Sequence, residues 1–227
     1  LLIEDCAHAI GTKLNNEHAG TFGNVGCFSF YPTKNFTTIE GGMVITNSKH
    51  VAEYIISARS HGLTRSLADR YSKGKPWDYD IINPGFNYRL DEIRASLGLS
   101  QLKRINSLNS KRFLASKYYS KRLAGIPGII IPKNFRKKEH TYHLYIIRIQ
   151  NEFGQNRDDV FKELKKVGIQ VSVHYKPLHR FSAYRNITKT YDVLDNSEQI
   201  YKESLSLPLY HSISKKQQDL VIRNIKK

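Results

Sequence analysis

Residues 27–42, CFSFYPTKNFTTIEGG, constrain this chain more than any other stretch. Strand alternation puts Phe28 and Phe30 on one face, with Cys27, Ser29 and Tyr31 on the other. Pro32 cannot donate to a sheet ladder, so the strand ends there. Lys34 then falls on a short polar loop, and Gly41 and Gly42 open the next strand, over residues 43–46. Most loop lysines are solvated and inert. A lysine fixed at the tip of a buried strand differs, because desolvation lowers its pKa and leaves more of the neutral amine that attacks carbonyl carbon.

The N-terminal residues add to this. Residues 1–5 read as a buried strand with Asp5 at its C-terminal end, the edge where open α/β sheets bind ligands. Asp5 can equally be read as a helix N-cap. His8 follows three residues later, and by itself is an ordinary core or surface histidine. Asp5, His8, Ser29 and Lys34 together supply an anion, a ring, a hydroxyl and an amine.

The segments IEDCAHAIG, AGTFGNVGCFSFYPTKN, EGGMVIT, RSHG and GFNYRLDEIRASLGLSQL resemble the DegT/DnrJ/EryC1/StrS family of sugar aminotransferases. The resemblance spans most of the chain in the family's order. It implies an α/β chain, the C-terminal part of the PLP-dependent aspartate-aminotransferase fold. It implies pyridoxal 5'-phosphate as cofactor, which needs a carboxylate at its ring nitrogen, a flat partner for its ring, donors to its phosphate and a lysine for a Schiff base. On that pattern Lys34 is the catalytic lysine. Asp5, His8, Ser29 and Asn87 bind the cofactor with it, Asn87 reaching the phosphate of the opposite subunit of a homodimer. By itself Asn87 reads as a loop turn residue. Some relatives carry His in place of the lysine and dehydrate instead, so Lys34 argues for transamination.

Composition narrows the alternatives. The 227 residues can bury a sizeable core, and 40% hydrophobic with 25% charged content is ordinary for a globular protein. No apolar run is long enough to span a bilayer, and no membrane partner is expected. Cys6 and Cys27 read as reduced core thiols, which suits a cytoplasmic location. The net charge of +16 invites a nucleic-acid reading. The 36 Lys and Arg are scattered, however, with only short clusters such as Arg136, Lys137 and Lys138, and no nucleic-acid-binding motif appears. A lysine-rich solvated surface is the better reading. No metal-ligand spacing occurs, since His18 has no partner at i+3 or i+4. The chain opens on an apolar strand without an initiator methionine, so an N-terminally truncated protein is expected. The family's upstream phosphate-binding turn would then be missing.

Along the chain, Asn15 and Asn16 mark a tight turn. Residues 48–61 read as a helix with Val51, Tyr54, Ile55 and Ala58 on one face, and Gly62 stops it. Residues 63–79 read as a polar loop. A long helix follows Asp91 with Leu90, Ile93, Leu97, Leu102, Ile105 and Leu108 as its apolar stripe, then a second over 110–123. The domain boundary is placed here, giving 1–124 as the C-terminal portion of the large PLP-binding domain and 125–227 as a small α+β domain. Within the latter, 142–149 and 169–175 read as strands, 157–167 as a helix and 205–209 as a short extended piece. Ser214 opens a final helix through a capping box, with Leu220, Val221 and Ile225 inward. His174 and His179 lie in HYKPLH, which the resemblance identifies with a segment closing over the nucleotide-sugar side of the cleft.

The reading that results is an aminotransferase moving an amino group from glutamate to a nucleotide-linked keto-sugar, in amino-sugar and cell-surface polysaccharide biosynthesis. The alternatives are a truncated non-catalytic homologue and a dehydratase of the same family.

Overall fold

A computed structural model describes residues 1–64, 67–72, 75–133, 139–184 and 194–226. The basic cluster at 136–138 and parts of the 63–79 stretch lie outside the described residues. The chain divides into two compact units, Leu1–Asn106 and Ser107–Lys227.

The first unit is built on a three-stranded sheet. Strand β1 (Ile3–Asp5) precedes a small hairpin, β2 (Lys13–Leu14) and β3 (Glu17–His18), which β4 (Val25–Ser29) and β5 (Gly42–Ile45) follow. The hairpin turns on Asn15 and Asn16, both at positive φ (52° and 71°), the conformation that a two-residue turn between twisted strands requires. In the main sheet β4 is central. It pairs β1 in parallel, Asp5 opposite Cys27, and β5 antiparallel, Ser29 opposite Gly42. Helix α1 (Lys49–Ala58) starts at Ser48, whose side chain accepts from the Val51 amide. Helix α2 (Leu67–Ser72) forms inside the stretch read as a loop. Helix α3 (Glu92–Leu102) starts at Asp91, whose Oδ1 accepts from the Arg94 amide at 2.9 Å.

Several expectations for this unit fail. Residues 1–3 are exposed, Leu1 at 93%, because β1 forms an edge of the sheet. Tyr54 turns outward from α1. The expected single helix after Asp91 stops at Lys103, and α4 (Ile105–Leu123) begins two residues later. Ile93 and Leu102 remain exposed, so the stripe is only partly used. Cys6 is buried, Cys27 half-buried, and both thiols are free.

The second unit carries the larger core. Strands β6 (Ile129–Ile130), β7 (Tyr145–Ile149) and β8 (Ser204–Leu207) form an antiparallel sheet. In β7 burial alternates residue by residue, so Tyr145, Ile147 and Ile149 face inward. Helices α5 (Arg157–Lys166), α6 (Asp195–Glu203) and α7 (Lys215–Ile225) complete the unit. Tyr119 and Leu123 of α4 join Val160, Leu164, Leu205 and Ile222 in one apolar cluster. The expected boundary after residue 124 therefore falls inside the second unit, because the end of α4 is part of its core.

Among the described residues, the buried side-chain polar atoms of this core find partners except Arg112 Nε. The Tyr119 hydroxyl donates to Pro208 O at 3.1 Å, and the Tyr145 hydroxyl lies 2.9 Å from Ser120 Oγ. Burial pushes the Tyr145 phenol up to about 12. The buried Arg112 guanidinium donates to the carbonyls of His143 (3.2 Å) and Leu209 (3.0 Å). Ser214 forms the expected capping box with Gln217. Leu220 is exposed, however, and Ile222 takes the inward place beside Val221 and Ile225. Residues 169–175 make no strand. Ser172 exchanges one pair of backbone bonds with Ser206 and the chain then departs.

Leu164 is fully buried. Leu164→Ala should lower unfolding free energy by about 2–5 kcal/mol, seen as a lower denaturant midpoint with an unchanged slope. An effect below about 1 kcal/mol would show that this cluster is not the core.

Candidate active site

Lys34 sits on the connection from β4 to β5, and that connection is tied back onto the strand it leaves. The Phe30 carbonyl accepts from the Thr38 amide (3.0 Å) and the Thr37 hydroxyl (2.8 Å), while the Phe30 amide donates to Gly41 O (2.9 Å). Phe30 and Phe36 are buried and meet edge to face at 4.7 Å. Asn35 and Thr38 are buried beside them. Helix α3 closes the arrangement: Gln101 Oε1 accepts from the Thr37 amide at 3.1 Å, and a Cβ at Gly98 would lie 3.0 Å from Thr38 Cγ2. Lys34 itself closes a turn, its amide donating to Tyr31 O at 3.0 Å.

The Lys34 side chain is half-buried. Desolvation lowers its pKa from the ordinary lysine value, and the Asp5 carboxylate pulls it partly back up. The two groups are thus within electrostatic reach of each other. Asp5 is opposite Cys27 in register, and Ser29 is two residues further along β4, so strand alternation brings Asp5 and Ser29 to one face of the sheet. Asp5 caps no helix. Its Oδ1 accepts from the Ala7 amide at 3.0 Å and the chain continues in turns, Ala9 N donating to Cys6 O. His8 lies exposed in that turn, and Ser29 Oγ accepts from the Tyr31 amide at 3.4 Å.

Asn87 belongs to a second cluster. The segment 86–88 runs antiparallel to the end of α1, with Ser60 opposite Asn87. Phe86 N donates to Ala58 O (2.7 Å), Tyr88 N to Arg59 O (2.8 Å), and His61 N to Phe86 O (2.9 Å). Gly62 has φ +74°, and a Cβ there would lie 1.7 Å from Asn83 O. RSHG and GFNYR are therefore two halves of one backbone joint. Phe86 and Tyr88 stack at 4.9 Å and both are exposed, as is Asn87. Beside this joint is a cavity of about 510 Å³. Phe28, Met43 and Val44 line it together with Arg59, Arg89 and Arg94.

One organising residue escapes sequence reasoning. The half-buried Glu4 carboxylate accepts from the amides of Gly20 (2.7 Å), Phe22 (2.7 Å) and Gly23 (2.6 Å). These bonds, the one from Gly23 foremost, hold its pKa below the usual carboxylate value. Its only signal in the sequence is an acid beside Asp5 and a glycine-bearing loop, AGTFG, with free amides to offer.

Comparison with known proteins gives the family of the chain. The chain matches the DegT/DnrJ/EryC1/StrS aminotransferase family over residues 1–226. It belongs to that family. It is 34% identical over 229 aligned residues to the spore coat polysaccharide biosynthesis protein SpsC of Bacillus subtilis, covering 99% of this chain and 59% of SpsC. Its fold superimposes with a TM-score of 0.89 on Helicobacter pylori PseC, an aminotransferase involved in the biosynthesis of pseudoaminic acid. That pair is 29% identical, covering 99% of this chain and 58% of PseC. A sugar aminotransferase from Streptococcus pneumoniae solved in its PMP form gives 0.87 at 30% identity, covering 99% and 57%. The chain thus spans about three fifths of the relatives it matches. DegT-family aminotransferases are PLP enzymes of mixed α/β fold. The residues here suit that cofactor chemically: a half-buried amine of lowered pKa on a pinned loop, with a carboxylate at the neighbouring strand end.

Glu4→Gln should lower the melting temperature and speed amide exchange at residues 20–23. The wild-type carboxylate is depressed on folding, so its contribution is complete above the ordinary value of 4.5 and disappears as pH falls through the lowered one. Thermal scans against pH should show this acid limb in the wild type and a flatter one in Glu4→Gln. Identical limbs would remove Glu4 from its organising role.

Proposed function

We propose that this chain carries the lysine-bearing part of a PLP-dependent aminotransferase. The enzyme moves an amino group from an amino acid, glutamate, to a nucleotide-linked keto-sugar, in amino-sugar and cell-surface polysaccharide biosynthesis. The observation that carries the proposal is the Lys34 amine, half-buried on a pinned loop and electrostatically coupled to Asp5. The first unit would correspond to the C-terminal portion of the large cofactor-binding domain and the second to the small α+β domain.

PLP, when bound, supplies an electron-withdrawing ring that stabilises negative charge on the carbon losing a proton. Lys34 would hold the cofactor, and its amine would take a proton from the amino donor and return one, as general base and acid. Desolvation lowers the Lys34 pKa, which moves the amine toward the neutral form that both roles use. Asp5 would keep a proton on the ring nitrogen by ion pairing, Ser29 would donate to the phosphate, and His8 would serve as the flat partner for the ring. Asn87 contributes to the cofactor phosphate of the opposite subunit, which makes the working form a homodimer with a shared site. A basic surface attracts the nucleotide diphosphate and the acidic amino donor. No helix among the described residues is long and apolar enough to cross a membrane, and we place the enzyme in the cytoplasm. A lysine at position 34 favours transamination over the dehydratase chemistry of relatives that carry histidine there.

The full-length protein that carries this chain, loaded with PLP, should show the visible absorbance of a lysine-bound cofactor. Lys34→Ala should lose that band while keeping its far-ultraviolet circular dichroism. A full-length wild type without the band, or a variant that keeps it, would overturn the assignment.

A further inference from the structure

The HYKPLH segment ends in a short 3-10 turn, Leu178–Arg180, followed by a second, Ser182–Tyr184. Turns this short contribute few backbone bonds of their own, so what holds them must come from elsewhere. For the first turn, one carboxylate supplies it. Glu198 on α6 accepts from His179 Nε2 at 2.5 Å and from Arg180 Nε at 2.8 Å through Oε1, and Arg180 Nη2 reaches Oε2. The Arg180 guanidinium also lies 5.0 Å over the Tyr201 ring, one turn further along α6. The helix behind Glu198 is itself fixed. Arg157 Nη1 donates to the carbonyls of Tyr201 and Ser204, both at 2.9 Å, and Glu203 pairs with Arg148 at 2.6 Å.

We propose that Glu198 is a positioning residue that holds the PLH turn on α6 and sets the tautomer of His179. A carboxylate gripped by a forked guanidinium can only accept, so the His179 nitrogen facing it must carry the hydrogen. On the neutral ring Nδ1 is then the acceptor. His179 offers a lone pair to a hydroxyl or N–H donor, the chemistry of a sugar ring, rather than a second N–H to a phosphate oxygen. The two arginine bonds and the histidine bond hold Glu198 down to about 2, so it stays an anion wherever His179 is neutral. The substrate-facing part of this inference rests on the aminotransferase reading. The tautomer does not.

Nitrogen-15 correlation spectra of the histidine rings in the whole chain, at mildly alkaline pH, read the tautomer directly. Wild type should show His179 as the Nε2–H form. Glu198→Ala should relax the ring toward the tautomer mixture of a free imidazole, in which Nε2–H still predominates, and amide exchange across residues 178–181 should quicken about tenfold or more. Glu198→Gln keeps the shape and an acceptor oxygen but not the charge. It should retain the tautomer while exchange still quickens. A wild-type Nδ1–H ring overturns the proposal without any variant. Unchanged exchange in the Gln form, or in a folded Ala form, overturns it as well. No cofactor enters these measurements, so their failure and that of the absorbance test are separate events.

Discussion

The Phe30 carbonyl is the pivot of the first unit. Pro32 forces the chain out of the sheet, and a chain leaving a sheet normally gains freedom. Here the next residues return, and Thr37 and Thr38 both donate to the carbonyl the strand left behind. The lysine between them is therefore on a loop whose ordering entropy is settled when the protein folds, not when a ligand arrives. That rigidity also lets the amine be partly desolvated. A freely moving lysine would extend its charge into water and keep its ordinary pKa. The coupling to Asp5 works the other way, favouring the charged form. The amine is thus set between two opposing effects, and the length of the 30–41 loop fixes both, because it decides how far Lys34 can move from the strand ends.

What could be read in advance was local chemistry. The Asn15 and Asn16 turn and the Ser214 box each depend on a few neighbouring residues, and each forms. The alternation of β7 is equally local. What could not be read needed a partner far along the chain. Leu1, Leu2 and Ile3 are apolar enough for a buried strand, but burial depends on what packs above them, and here β1 is an edge. The 169–175 segment has strand composition and only one paired residue, because β8 is four residues long and its other edge is already paired with β7. Helix α6 is too polar for an apolar stripe to announce it. Its support comes from Arg157, 44 residues away in sequence. Among the expected site residues, Asp5 ends β1 and Ser29 ends β4, places that strand alternation and Pro32 make readable, whereas Glu4 was not readable, because its three partners are amides that any sequence could supply.

The acids of this basic chain share a pattern. With 20 Asp and Glu against 36 Lys and Arg, ion pairing could have spent them on the surface. Exposed pairs do occur, such as Lys49 with Glu53, and contribute little. The structurally consequential acids instead each gather several donors or start an element. Glu4 collects three amides, Asp91 starts α3, and Asp219 takes the Tyr118 hydroxyl at 2.6 Å. A carboxylate offers acceptor sites over a wide range of directions and no hydrogen, so it can fasten a loop of bare amides where a lysine cannot. The converse follows for the basic residues. Those that are buried, Arg112 and Arg157, are fastened to carbonyls. Arg148 and Arg180 are spent on α6 instead, through the carboxylates of Glu203 and Glu198.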